Sequence, residues 1–91
     1  MTTNDKIKML RQKIDKFDDQ MLEILARRFS TAKVIGEIKT KAGIHVHDPN
    51  REKEIIDRLW GKLDGKLERE DIAAIFGPIY KISKKLQNEE K

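Results

Sequence analysis

The sequence predicts an all-α fold with three helices per protomer, a very long first helix, and an intertwined antiparallel homodimer as the assembly. Three observations carry that expectation. No proline interrupts residues 5–41, and Ile7, Leu10, Ile14, Phe17, Met21, Ile24, Ile35 and Ile38 recur there at heptad-like spacing. Two further apolar-periodic segments follow, each bounded by turn residues. Charged residues make up 40% of the 91 residues and aromatics only 5%, a balance that suits helices with solvated Lys and Glu faces around a thin aliphatic core. A chain of this length holds one domain, residues 1–91, and buries only a modest core.

The first helix should span residues 5 to about 41. At 1.5 Å per residue it is about 55 Å long, whereas a compact domain of this size has a radius of gyration of about 12 Å. It cannot fold back into a monomeric globule. Either it breaks, with Gly36 the candidate position, or a second chain covers the part that protrudes; the uninterrupted apolar stripe favours the second. Residues 42–47 form a short link with Gly43 placed as a helix C-terminal glycine, and Asp48-Pro49 supplies an N-cap followed by a proline at the first helical position. The second helix then presents Ile55, Ile56, Leu59, Trp60 and Leu63 on its apolar face and stops at Asp64-Gly65. The third begins between Glu68 and Asp71 and reaches about Gln87, with Ile72, Ile75, Phe76, Ile79, Ile82 and Leu86 expected inward. Gly77-Pro78 lies inside it, so a kink is expected there, because an interior proline removes a hydrogen bond and costs about 3 kcal/mol.

Composition excludes several classes of chemistry. There is no cysteine, hence no disulfide, thiol nucleophile or thiolate metal site. The net charge of +4 is mild and its signs are interspersed, sixteen acidic residues among twenty basic ones, which argues against a nucleic-acid binder and suits a small anionic ligand. The first six residues are polar, unlike a signal peptide, and no stretch approaches the roughly 18 apolar residues of a membrane span, so a soluble cytoplasmic protein is expected. His45 and His47 stand beside Asp48 without a third ligand at a familiar spacing, which reads as a polar loop rather than a metal site. No glycine-rich phosphate loop or serine–histidine–acid constellation can be assembled.

The candidate site residues are those that break the apolar stripes, since a charge in an apolar seam is costly unless compensated. Arg28, with Thr31, occupies a seam position between Ile24 and Ile35; either its stem packs while its head reaches water, or it serves a ligand. Lys39 lies eleven residues on, nearly on the same face and about 16 Å along the axis, as a solvated lysine or as a second cation gripping one small dianion. Arg11 is seventeen residues before Arg28, about 25 Å away along one helix. If two first helices cross antiparallel near residue 22, however, Arg11 of one chain comes level with residue 33 of the other; otherwise it is a surface arginine in helix ion pairs. Glu52 shares a face with Ile55, Ile56 and Leu59 in the first turn of the second helix, where the dipole alone also favours a carboxylate. Arg51 is positioned to pair with a carboxylate, and Asp48 is an N-cap whose backbone amide is available to a ligand. Phe76, Tyr80, Ser83 and Gln87 fall on one ridge, with Ser83 either bonded back to the preceding turn or turned to a ligand, and Gln87 either an exposed chain end or a donor.

In order and spacing, Leu10-Arg11-Gln12-Lys13-Ile14-Asp15, Leu25-Ala26-Arg27-Arg28, Ile35-Gly36-Glu37-Ile38-Lys39, Asp48-Pro49-Asn50-Arg51-Glu52-Lys53 and Ile82-Ser83 with Gln87 resemble the all-helical class of chorismate mutases across nearly the whole chain. The resemblance implies an isomerase that converts chorismate to prephenate in the shikimate pathway to phenylalanine and tyrosine, with no cofactor and no metal. It implies a homodimer with two sites, each borrowing Arg11 from the neighbouring subunit. Arg11 and Arg28 would hold the carboxylates, Arg51 and Ser83 would lie near the ring end, and Glu52 with the backbone of Asp48 would take the ring hydroxyl. Lys39 and Gln87 would donate to the ether oxygen. Gly77-Pro78 departs from the family pattern. Similar domains occur fused to, or regulating, the DAHP synthase that opens the pathway. Isochorismate-pyruvate lyases share the fold, and a regulatory prephenate-binding or coiled-coil module is the binding-class alternative.

Overall fold

The computed structural model describes residues 1–87. Over these residues the chain is three α-helices: α1 (Thr3–Lys41), α2 (Pro49–Lys62) and α3 (Arg69–Gln87). It divides into two compact units, residues 1–30 and the part from Thr31 onward, with α1 continuing from one into the other. Among the described residues no helix is long and apolar enough to cross a membrane.

The first unit is the N-terminal part of α1. Thr2 and Asp5 begin it with a reciprocal capping box: the Asp5 amide donates to Thr2 Oγ1 at 3.1 Å, and the Thr2 amide donates to the Asp5 carboxylate at 3.1 Å. The backbone amide of Thr2, and then its hydroxyl, hold the Asp5 carboxyl below the usual carboxylate range. A depressed acid of this kind supports the cap at neutral pH, and that support is lost as pH falls through its lowered value. Beyond the cap, Ile7, Leu10, Ile14, Phe17, Met21 and Ile24 form one seam and are 41–62% exposed. Leu25, Arg28 and Phe29 are half-buried, and Arg11 is exposed. A helix of this kind has little stability in water until its apolar stripe is covered.

The second unit begins with the last turns of α1. Gly36 does not break the helix; it is the buried residue of α1. At the C-terminus, Ile44 N–H donates to Lys39 O at 2.8 Å and Gly43 N–H to Thr40 O at 3.2 Å, the paired bonds of a Schellman cap. Gly43 has φ +71°, a conformation that a side chain would strain. The helix therefore stops two residues after Lys39, at Lys41, and the carbonyl of Lys39 is fixed.

Asp48 starts α2 as expected, its Oδ1 accepting the Arg51 amide at 3.1 Å with Pro49 at the first helical position. The helix ends at Lys62, slightly before Asp64 (φ 49°) and Gly65 (φ 79°), which turn the chain through the left-handed region. At the start of α3 the Glu68 amide donates to the Asp71 carboxylate at 3.1 Å. Arg69 Nε donates to Asp57 Oδ1 at 2.8 Å, tying the start of α3 to α2. The interface between the two helices buries Ile55, Ile72 and Tyr80, and Phe76 packs against Tyr80 with ring centroids 5.8 Å apart. The Tyr80 hydroxyl donates to the Glu52 carbonyl at 3.3 Å, so the phenol is satisfied as it is buried.

One expectation requires correction. Ile75, Ile82 and Trp60 are not inward in the protomer but 53%, 44% and 45% exposed. Two packed helices bury only the stripe between them, which on α3 runs through Ile72, Phe76, Ile79, Tyr80 and Ser83; Ile75 and Ile82 lie around the cylinder from it. Pro78 sits inside α3, as expected, and the helix runs from Arg69 to Gln87 without a break. Ala74, Gly77 and Pro78 are all exposed, so the carbonyl that loses its donor is open to water.

The C-terminal end of α3 rests on α1. A Cβ built on Gly36 would lie 2.6 Å from Gln87 Cγ and 2.7 Å from Gln87 Cβ, so only glycine permits this approach.

Two substitutions test this packing. Ile72, 2% exposed, should cost about 2–5 kcal/mol when truncated to alanine, read as a lowered urea midpoint at fixed protein concentration. Gly36→Ala should also destabilise, by about 1–3 kcal/mol, although alanine is intrinsically favoured over glycine in a helix by about 1 kcal/mol. A raised midpoint for Gly36→Ala would show that the approach of Gln87 does not constrain the fold.

Candidate active site

In the unit that begins at Thr31, Gln87 packs on the face of α1 that also carries Lys39. Gln87 is half-buried rather than an exposed chain end, and its Nε2 donates to the carbonyl of Ala32 at 2.8 Å. That carbonyl lies one turn before Gly36, against which the Gln87 stem packs. Ala32, Gly36 and Lys39 follow one another at i, i+4 and i+7, so they share a face of α1. Gln87 is thus seated on the face that carries half-buried Lys39. A side-chain amide has two N–H groups; the Ala32 bond uses one and orients the other.

Ser83 is buried, and its hydroxyl donates to the Ile79 carbonyl at 2.9 Å, the back-bond to the preceding turn that its position allows. Its proton is committed to the backbone, which leaves Ser83 to act through its oxygen. The side chain of Asp48 is likewise occupied as the N-cap, while its carbonyl accepts the Glu52 amide at 3.2 Å. Arg51 is exposed, with one guanidinium nitrogen 3.6 Å from Glu54, a distant contact within one helix rather than a bidentate fork. Exposed pairs of this type contribute about 0–1 kcal/mol, so little holds the guanidinium in place.

Glu52 has the most structured surroundings of these residues. Its Oε2 lies 3.2 Å from His47 Nε2 and 3.9 Å from Lys84 Nζ, while Tyr80 holds its backbone carbonyl. The carboxylate is therefore addressed from the link before α2 and from α3. Sequence reasoning treated His47 as part of a polar loop and passed over Lys84. The signal for Lys84 was its i, i+4 relation to Tyr80; the signal for His47 was its place just ahead of the N-cap, where the chain turns back toward the first turn of α2. Among the described residues no three His, Cys, Asp or Glu side chains gather in a way that would hold a metal ion.

Arg11 and Arg28 belong to the first unit, Arg11 exposed and Arg28 half-buried at the seam. Arg11 lines an open groove with Asn4, Ile7, Lys8, Gln12 and Asp15 on the surface of α1. As functional groups, the set comprises cationic and amide donors suited to carboxylates and an electron-rich oxygen, with a carboxylate suited to a hydroxyl.

A family model described as chorismate mutase type II matches residues 10–88. A chorismate mutase of Methanocaldococcus jannaschii is 46% identical over 55 residues, which is 60% of this chain and 56% of that protein. A bifunctional chorismate mutase/prephenate dehydratase of Aquifex aeolicus is 44% identical over 55 residues, again 60% of this chain but 15% of that much longer protein. The chain thus spans about half the length of the first relative and a small part of the second. Among solved structures, form II of chorismate mutase from Thermus thermophilus superimposes with a TM-score of 0.87 at 29% identity, covering 94% of this chain and 98% of that one. With the family pattern matched across residues 10–88, nearly all of its length, this chain belongs to the chorismate mutase type II family.

Proposed function

We propose that this chain, as one mutase domain over residues 1–91, rearranges chorismate to prephenate in the cytoplasmic route to phenylalanine and tyrosine. The observation that carries the reading is the seating of Gln87 on the face of α1 that runs through Ala32, Gly36 and Lys39, so that the Gln87 amide and Lys39 belong to one helix face. The reaction is an intramolecular shift that breaks one C–O bond and forms one C–C bond, so it requires no nucleophile, general acid, metal or cofactor. It requires a compact near-attack conformer and stabilisation of charge on the departing ether oxygen. In this reading Lys39 and Gln87 donate to that oxygen, and Arg11 and Arg28 hold the two carboxylates. Arg51 and Ser83 lie toward the ring end, with Glu52 and the Asp48 backbone at the ring hydroxyl.

The same reading makes the working unit a homodimer in which Arg11 is supplied by the neighbouring subunit. The half-exposed seam from Ile7 to Ile24 supports it, because an antiparallel copy of the same helix offers an equally spaced stripe. The exposure of Ile75 and Ile82 supports it further, since these also need cover. The name of the Aquifex relative pairs a mutase with a dehydratase, which supports a fused or associated second enzyme of the pathway, DAHP synthase being the other candidate.

Loss of chorismate absorbance on adding the purified protein tests the reading directly. Lys39→Ala should lower turnover by about 10²–10³-fold while the fold persists, the usual effect of removing one donor to a developing oxyanion. Turnover unchanged in that variant, or absent from folded wild-type protein, contradicts the assignment.

A further inference from the structure

The contact between the end of α3 and α1 combines a notch with an acceptor. Ala32 and Gly36 are one turn apart on α1, so the Ala32 carbonyl accepts the Gly36 amide within the helix and keeps a second lone pair. Side chains on an α-helix lean toward its N-terminus, so a Cβ at position 36 would stand over the turn that presents this carbonyl. Glycine has none, and Gln87 Nε2 reaches the Ala32 oxygen at 2.8 Å. The stem of the same side chain fills the space a Cβ would take, with Cγ 2.6 Å, Cβ 2.7 Å and the Gln87 Cα 3.2 Å from that position. Gln87 is thereby held at both ends, the stem by the notch and the amide by the carbonyl.

A change of rotamer cannot relieve the crowding that an alanine would bring. Turning the Gln87 side chain about χ1 moves Cγ but leaves Cβ and Cα in place, so the backbone at the end of α3 must retreat. Ordinary contacts between carbon atoms begin at about 3.5 Å, which sets the retreat at roughly 1 Å. A misplacement of about 1 Å in a positioned group can cost about 10²-fold in rate. The bond to Ala32 lengthens with the retreat, and the amide loses the contact that fixes its plane. Lys39 extends from α1 itself, whose end is held by its own cap, so the disturbance falls on Gln87 and not on Lys39.

We propose that Gly36 is a positioning residue for the reaction: by leaving the Ala32 carbonyl uncovered it fixes the plane of the Gln87 amide, and with it the direction of the N–H given to the ether oxygen. The inference rests on the proposed role of Gln87 as a donor to that oxygen. Gly36, buried beneath Gln87, acts through that amide. The donor serves the breaking C–O bond whereas the carboxylates are held by other residues, so the signature is in kcat rather than KM.

The test is kcat and KM for chorismate, with urea midpoints, in wild type, Gly36→Ala, Gln87→Met, the two combined, and Gly61→Ala, an exposed helical glycine whose Cβ would meet nothing. Gly36→Ala should lower kcat per folded molecule about 10- to 100-fold with KM nearly unchanged, and Gly61→Ala should follow wild type. Methionine keeps the stem of Gln87 without the amide. In the combined variant the stability loss of Gly36→Ala should therefore persist, while kcat falls no further than in Gln87→Met alone. Wild-type kcat in Gly36→Ala or in Gln87→Met overturns the proposal, as does a Gly36→Ala loss that multiplies the Gln87→Met loss; turnover by wild type keeps the mutase reading in each case. If Gly36→Ala does not fold, the Gln87 side-chain amide of isotope-labelled wild type decides. Protection of its protons from solvent exchange supports the seat, and exchange as fast as in free glutamine overturns it. Folded wild-type protein without turnover removes the mutase reading, and this inference with it.

Discussion

An apolar seam that must be covered governs this protein. Ile7, Leu10, Ile14, Phe17, Met21 and Ile24 repeat at alternating spacings of three and four along α1, and all are about half-exposed. At roughly 25 cal/mol per Å² of apolar surface, six such side chains represent a driving force of the same order as the 5–15 kcal/mol net stability of a domain. A heptad seam calls for a partner with the same spacing, and a second copy of the helix is the partner that every molecule of this protein has available. Closed two-fold pairing of antiparallel helices also brings residues from opposite ends of the helix to one level. In the proposed dimer, that is how a cation as early in the sequence as Arg11 reaches a site that its own subunit does not complete.

The α2–α3 hairpin supplies the precision that a long helix alone lacks. Caps at Asp48 and Glu68, the Arg69–Asp57 bond and the Tyr80 hydroxyl fix the two helices relative to one another. The end of α3 then settles on Gly36, where the absence of a side chain lets Gln87 come within bonding distance of the α1 backbone. One missing methyl group thus sets both packing and orientation, because the Gln87 amide is aimed by the same contact that docks the helix. The Schellman cap has a similar double role, terminating α1 while fixing the backbone from which Lys39 extends.

Local signals made much of this legible. Gly43, Asp48-Pro49 and Asp64-Gly65 marked helix ends because capping chemistry depends on a few adjacent residues. The back-bond of Ser83 was legible for the same reason. Gly36 could be read only as a candidate break, since its purpose, room for Gln87 fifty-one residues later, exists only after α3 docks. Ile75, Ile82 and Trp60 were assigned inward because periodicity marks an apolar face without saying how much of it one neighbour covers. The Glu52 cluster required the α2–α3 pairing to be known before Lys84 and His47 could be brought to one oxygen. Gly77-Pro78 was legible as a proline inside a helix, but the exposure of the carbonyl that it deprives of a donor was not.

Coverage of the seam by a second copy, with each site completed across it, is tested most directly by co-refolding equal amounts of Arg11→Ala and Arg28→Ala chains. Each homodimer lacks one cation in both sites, whereas a mixed dimer has one site with both arginines intact and one with neither. Random pairing makes about half of the dimers mixed, so activity should return to about a quarter of the wild-type level from two nearly inactive preparations. No recovery, in a mixture shown by mass to contain mixed dimers, would contradict the sharing of Arg11 between subunits.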